Sequence, residues 1–253
     1  MLGVMKKIMT GKEKELNVVP VDQETALAMR SDCREDVVDL DKEDLIIPRA
    51  KLLQALSPEV SDGDGKVGTI INSLTGEIVP EVFTPLFMFK SWIRFNPRSQ
   101  ADPAYDPNFG PGDIIWRSNE PQDAKVQAES KFGANGEKPL ATTFMNFFCV
   151  FEGQVEPTII SFANTSYKTG KRLLSLYHFS QQNMFAKKYT LTSKKEVKDI
   201  GTYYVLAVNP AGDVTDDEYA RYKTLWQNFS SKSRDIEVHQ EEGVKEKEDD
   251  LGF

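Results

Sequence analysis

The sequence predicts a mainly β domain with helices: a small, curved β-barrel decorated by two helices, between polar ends. Three observations lead there. Short runs of β-branched and aromatic residues recur between Gly, Pro, Asn and Asp clusters, two longer segments carry a helical period, and both ends of the 253-residue chain lack the apolar content a core needs. The formal charge of −8 is spread unevenly. Residues 1–44 hold seven Lys/Arg against eleven Asp/Glu and residues 235–253 hold two against eight, so a mildly basic body lies between acidic ends. The expected organisation is a mobile acidic segment over 1–44, one domain over 45–234 and a disordered acidic tail over 235–253.

Taken in order, Pro48 opens a short helix containing Ala50, Leu52, Leu53 and Leu56, which ends before Ser57-Pro58. Ser61–Gly65 is a loop without the later acid and glycine of a calcium site. Val67–Asn72 is a strand, and Ile78–Lys90 a longer one in which Pro80 and Pro85 mark an edge or a bulge. If the strand continues, Trp92 and Arg94 share a face. Asn96–Gly112 and Ser118–Lys138 read as loops around the short strand Asp113–Ser118. Ala141–Gly153 is aromatic and nearly all apolar, hence a central strand, and it turns into Val155–Asn164 as a hairpin. Thr165 caps a helix that points Leu173, Leu176 and Tyr177 inward, while Lys168 and Arg172 share another side. After further strands, Asn209–Gly212 reads as a turn. Thr215 and Glu218 then form a capping box for a helix that docks through Tyr219, Tyr222, Trp226 and Phe229.

The chemistry concentrates between Asn164 and Lys198. Lys168, Lys171, Arg172, Lys187, Lys188, Lys194, Lys195 and Lys198 stand there against one acid, Glu196, with Tyr167, Tyr177, Phe179, Phe185 and Tyr189 interleaved. Cations neutralise phosphates and rings stack on bases, the combination a single-stranded nucleic acid requires. The candidate binding set is Lys90, Trp92, Arg94, Tyr167, Lys168, Lys171, Arg172, Lys187, Lys188 and Tyr189, the alternative being core rings beside a solvated lysine face.

Other chemistries find less support. Cys33 and Cys149 read as reduced thiols, and with only His178 and His239 present neither a metal site nor a cofactor is expected. Thr165–Lys171 lacks the second glycine and the ending of a phosphate loop. Asp216-Asp217 and Asp249-Asp250 suit a helix start and a solvated tail, and no nucleophile pairs with a base, so no enzyme is expected. No apolar run is long enough for a signal peptide or membrane span, which predicts a cytoplasmic protein without a membrane partner.

The tail adds a resemblance. Its charge peaks over Glu246–Asp250 and it stops in Leu251-Gly252-Phe253, which resembles the tails of bacterial single-stranded-DNA-binding proteins and of their counterparts in tailed phages. Over about Leu45–Val208 the body is similar to one group of those phage proteins. The match runs through LIIPRAKLLQALSPEV, GTIINSLTGE, a Trp-Arg segment, a central aromatic hairpin, SFANTSYKTGKRLLSL and KKYTLTS; the insert at 117–138 has no counterpart. The resemblance implies an OB-fold barrel that binds single-stranded DNA without sequence preference in phage replication, recombination and repair, in the host cytoplasm. It also implies that Glu248, Asp249, Asp250, Leu251 and Phe253 recruit a polymerase, primase or helicase; the tail's charge, opposite to that of the basic surface, adds the expectation that it competes with DNA there. A strand-annealing or recombination protein, or a phage structural or assembly protein, would share much of this sequence character, and a homodimer is left open.

Overall fold

The computed structural model describes residues 47–198 and 201–231, all within the second of the two units, Met1–Leu45 and Ile46–Phe253, into which backbone contacts divide the chain. The proposed acidic segment at 1–44 and the tail at 235–253, with Glu248, Asp249, Asp250, Leu251 and Phe253, lie outside the described residues.

Strands β1 (Ala50–Leu52) and β2 (Ile70–Asn72) form a small antiparallel sheet. A larger antiparallel sheet contains β3 (Val82–Phe95), β4 (Ile114–Ser118), β5 (Thr142–Phe151), β6 (Pro157–Phe162), β7 (Lys187–Lys198) and β8 (Gly201–Asp213). Its order is β6-β5-β3-β7-β8, with β4 also on β3. Helices α1 (Pro58–Ser61), α2 (Ala124–Glu129), α3 (Tyr167–Ser180) and α4 (Asp216–Phe229) decorate it, four among the described residues where two were expected. The mainly β class with helices is as predicted.

One side of the curved sheet encloses the principal core. Ala50, Ile70, Phe83, Phe147, Phe151, Ile160, Leu191 and Val208 meet there, and Leu173 of α3 closes it. On the other side, Tyr222 of α4 and the flanking Tyr219, Leu225 and Phe229 cover Phe87, Phe148 and Val150. β5 is therefore buried on both faces, the physical reason its sequence is a continuous apolar run rather than an alternation. The Thr215–Glu218 capping box at the start of α4 is present as expected.

The sheet does not close into the predicted barrel. Its ends, β6 and β8, are not paired with each other; other groups satisfy their outward backbone. Ile159 N–H donates to Pro48 O at 2.8 Å. The Gln54 side chain donates to Tyr204 O at 2.8 Å and accepts from Tyr204 N–H at 3.0 Å. Two residues along β8, Ser166 Oγ accepts from Leu206 N–H at 3.2 Å and Thr169 Oγ1 donates to Leu206 O at 2.9 Å. Side chains thus cover the edge that a closing strand would have paired.

Two local expectations are corrected. Ala50–Leu52 pairs with β2 instead of forming a helix; the helix begins later, with Pro58 in its first turn, because tertiary pairing outweighs a short helical period. Pro85, expected to mark an edge or a bulge, lies at a bulge between Pro85 and Phe87. Asn209–Gly212 is strand rather than turn, accommodated by a bulge between Lys188 and Tyr189. No helix among the described residues is long and apolar enough to cross a membrane.

Candidate nucleic-acid interface

Three of the predicted basic side chains that stay available cluster at the start of α3. Gly170 and Leu173 seat this helix on the core; a Cβ at Gly170 would lie 2.8 Å from Phe162 Cβ, so only glycine allows this approach. The opposite side carries Lys168, Lys171 and Arg172, all exposed. Their i, i+3, i+4 spacing makes them neighbours. None is in an ion pair among the described residues. Lys171 Nζ sits 5.4 Å from the ring centroid of half-buried Tyr167, and an Arg172 nitrogen lies 3.4 Å from Asn209 Oδ1.

The place of Lys168, in the first turn, opposes the helix dipole. The first turn of α3 holds no acid and Ser166 offers no side-chain cap, whereas the first turn of α4 holds Asp216, Asp217 and Glu218. A cation at the positive end of a helix costs about 0.3–1 kcal/mol. Uncompensated breaches of a local rule concentrate where a ligand supplies the compensation, and the missing complement here is an anion.

Other predicted site residues are elsewhere or already engaged. Lys90 is exposed, and opposite it on β5 is Met145, whose Sδ packs beneath Gly170, so Lys90 belongs to the α3 side of the sheet. Trp92 is excluded as a stacking ring because it is buried with Trp116, Val126 and Ala141. Tyr189 is excluded likewise: it is 3 % exposed, lies 6.0 Å from the Phe83 ring, and burial raises its hydroxyl pKa. Arg94 shares the face of Trp92 as predicted, but that face is covered, and Glu129 of α2 binds Arg94 at 2.9 Å while accepting from Trp116 Nε1–H at 3.0 Å.

Lys187 and Lys188 are structural too. Lys187 pairs with Asp213, and Lys188 links Glu218 at 2.8 Å to Glu152 at 3.3 Å, joining α4 to the β5–β6 turn. The Glu218 carboxylate holds the Lys188 pKa above its ordinary value against the pull of burial. Of the ten predicted binding residues, the structure thus brings together Tyr167, Lys168, Lys171 and Arg172, with Lys90 on the same side.

The binding-residue prediction missed a surface on the β7–β8 hairpin. β3 pairs with β7 only at Val82 and Phe83, so most of the hairpin extends past the sheet. Lys194, Lys195 and Lys198 are exposed there, and Lys198 Nζ sits 5.3 Å from the centroid of the Tyr203 ring. The three lysines were legible in the charge run; Tyr203 was not, because adjacent Tyr203 and Tyr204 give no sign of which one points outward.

A groove of about 690 Å³ between the end of α3 and the start of α4 contains Tyr177, Gln181, Asn183 and Tyr219. Its charged lining residues are Asp213 and Asp216, with no Lys or Arg, so it does not favour phosphate. No cluster of three or more metal-ligating side chains occurs among the described residues. In comparisons with known proteins, the family model described as Pam3 phage gp34-like protein matches residues 15–235. No curated protein and no solved structure matches the chain.

Proposed function

Since this chain belongs to the Pam3 phage gp34-like protein family and is thus a phage protein, we propose that it binds single-stranded DNA without sequence preference in phage replication, recombination or repair. The observation that carries this is the trio Lys168, Lys171 and Arg172, exposed and free of carboxylate partners among the described residues, with Lys168 set against the dipole of its own helix. Such a surface gains by meeting phosphates, and Tyr167 beside it offers a ring to a base. Lys90 extends the cationic surface on the same side. The proposed binding makes and breaks no bond, so it requires no catalytic group. The tail, through Glu248, Asp249, Asp250, Leu251 and Phe253, would recruit a replication polymerase, primase or helicase.

The test is retention of oligo-dT against duplex of equal length by the full chain, at roughly 50 and 200 mM salt. Binding of oligo-dT that weakens with salt, with duplex bound less tightly, is expected. Absence of any retention at the lower salt would overturn the reading and favour a structural or assembly role, and rapid pairing of complementary strands would favour an annealing protein.

A further inference from the structure

We propose that the β7–β8 hairpin carries the same single strand onward from α3, with Tyr203 as a stacking ring and Lys194 and Lys198 as phosphate partners. This rests on the single-strand reading of the α3 cluster and extends it to residues outside that cluster.

The ladder fixes the geometry. Residues directly opposite in an antiparallel pair put their side chains on the same face. Thr190 faces Asn209, Thr192 faces Ala207, Lys194 faces Val205 and Glu196 faces Tyr203, so these eight share one face. The other face bears Leu191, Leu206 and Val208, which belong to the core. Lys194 and Tyr203 therefore point outward, and Lys198 follows them at the strand end. Arg172 reaches Asn209 at the near end of this face, so the α3 trio and the hairpin lysines lie toward its two ends, with Val205 between them 7 % exposed. From Asn209 to Tyr203 is six residues, roughly 20 Å at the rise of a strand, room for several nucleotides of an extended chain.

The two ends repeat one arrangement. Lys171 sits over Tyr167 at 5.4 Å and Lys198 over Tyr203 at 5.3 Å, each an ammonium resting on a phenol ring. A base that takes the ring face frees the ammonium beside its own phosphate. Glu196, an acid on the hairpin, accepts a hydrogen bond from Tyr203 Oη at 2.9 Å and so fixes the ring. By contrast, Tyr204 turns inward over Gly68, where an added Cβ would lie 2.5 Å from the ring.

Full-length protein is titrated with fluorescein-labelled oligo-dT of about 5 and about 20 nucleotides, as wild type and as the triple variant Lys194→Glu/Lys198→Glu/Tyr203→Leu. The triple variant is expected to match wild type on the short oligonucleotide and to lose about tenfold or more on the long one. Equal affinities at both lengths would overturn the proposal. Equal weakening at both lengths would also overturn it, since the hairpin would then not lie beyond the α3 site. If wild type binds neither length, the single-strand reading falls and takes this extension with it. Against misfolding, the milder pair Tyr203→Phe and Tyr203→Leu is compared: the first keeps long-oligonucleotide affinity and the second loses about 5- to 100-fold. Identical affinities of that pair would likewise contradict a stacking role.

Discussion

At the scale of single residues, Lys168 separates stability from function. It occupies the second position of α3, where the dipole disfavours a cation and no carboxylate compensates among the described residues. Lys168→Glu should therefore stabilise the fold, by about 0.5–1 kcal/mol in the denaturant midpoint, while it weakens single-strand binding several-fold. A substitution that destabilises the fold, or one that leaves binding intact, would mean Lys168 is retained for packing. Residues also show where sequence period stops being informative. Alternation correctly placed Trp92 and Arg94 on one face, yet it could not tell that α2, from a segment read as a loop, covers that face with Val126 and Glu129. Tyr189 failed for a related reason, since a ring among lysines looks available until β8 and β3 enclose it.

At the scale of elements, the link between Lys188 and α4 makes a pH-dependent prediction. Burial alone would raise the Glu218 pKa, but hydrogen bonds from Lys188 and Thr215 bring it below the ordinary carboxylate value. A depressed carboxylate stabilises the fold above its unfolded pKa, and that contribution is lost as pH falls through the lower folded value. The raised pKa of Lys188 acts at the opposite end: its contribution is complete below the unfolded value and lost as pH rises through the folded one. Lys188→Met should cost about 1 kcal/mol near neutrality and shrink the acid-side loss of stability, as followed by urea midpoints between roughly pH 3 and pH 7. Superimposable curves for variant and wild type would show that this ion pair does not hold α4.

Elements with strong local signals were the legible ones. The capping box fixed the start of α4, and the apolar run of β5 fixed the centre of the sheet. Short β1 was misread because three residues carry too little pattern to reveal a partner eighteen or more positions away.

At the scale of the molecule, curvature was foreseeable from the bent, proline-bearing β3. The open edge was not, because the outward backbone of β8 is met by Gln54, Ser166 and Thr169, whose roles exist only once the chain is folded. The charge distribution carries a further prediction. Residues 235–253 hold eight acids and two lysines, the sign complementary to the α3 surface, so deleting them should tighten binding to oligo-dT at low salt if the tail competes with DNA. Unchanged or weaker affinity in the truncated chain would refute that competition.

The central claim is that Lys168, Lys171 and Arg172 meet the phosphates of a single strand. The most direct measurement is the salt dependence of oligo-dT affinity for wild type and for the charge-reversed Lys168→Glu/Lys171→Glu/Arg172→Glu chain. Three lost phosphate partners should reduce the slope of log affinity against log salt by about 2 and lower the affinity at low salt by an order of magnitude or more. Equal slopes and equal affinities in the two proteins would contradict the claim.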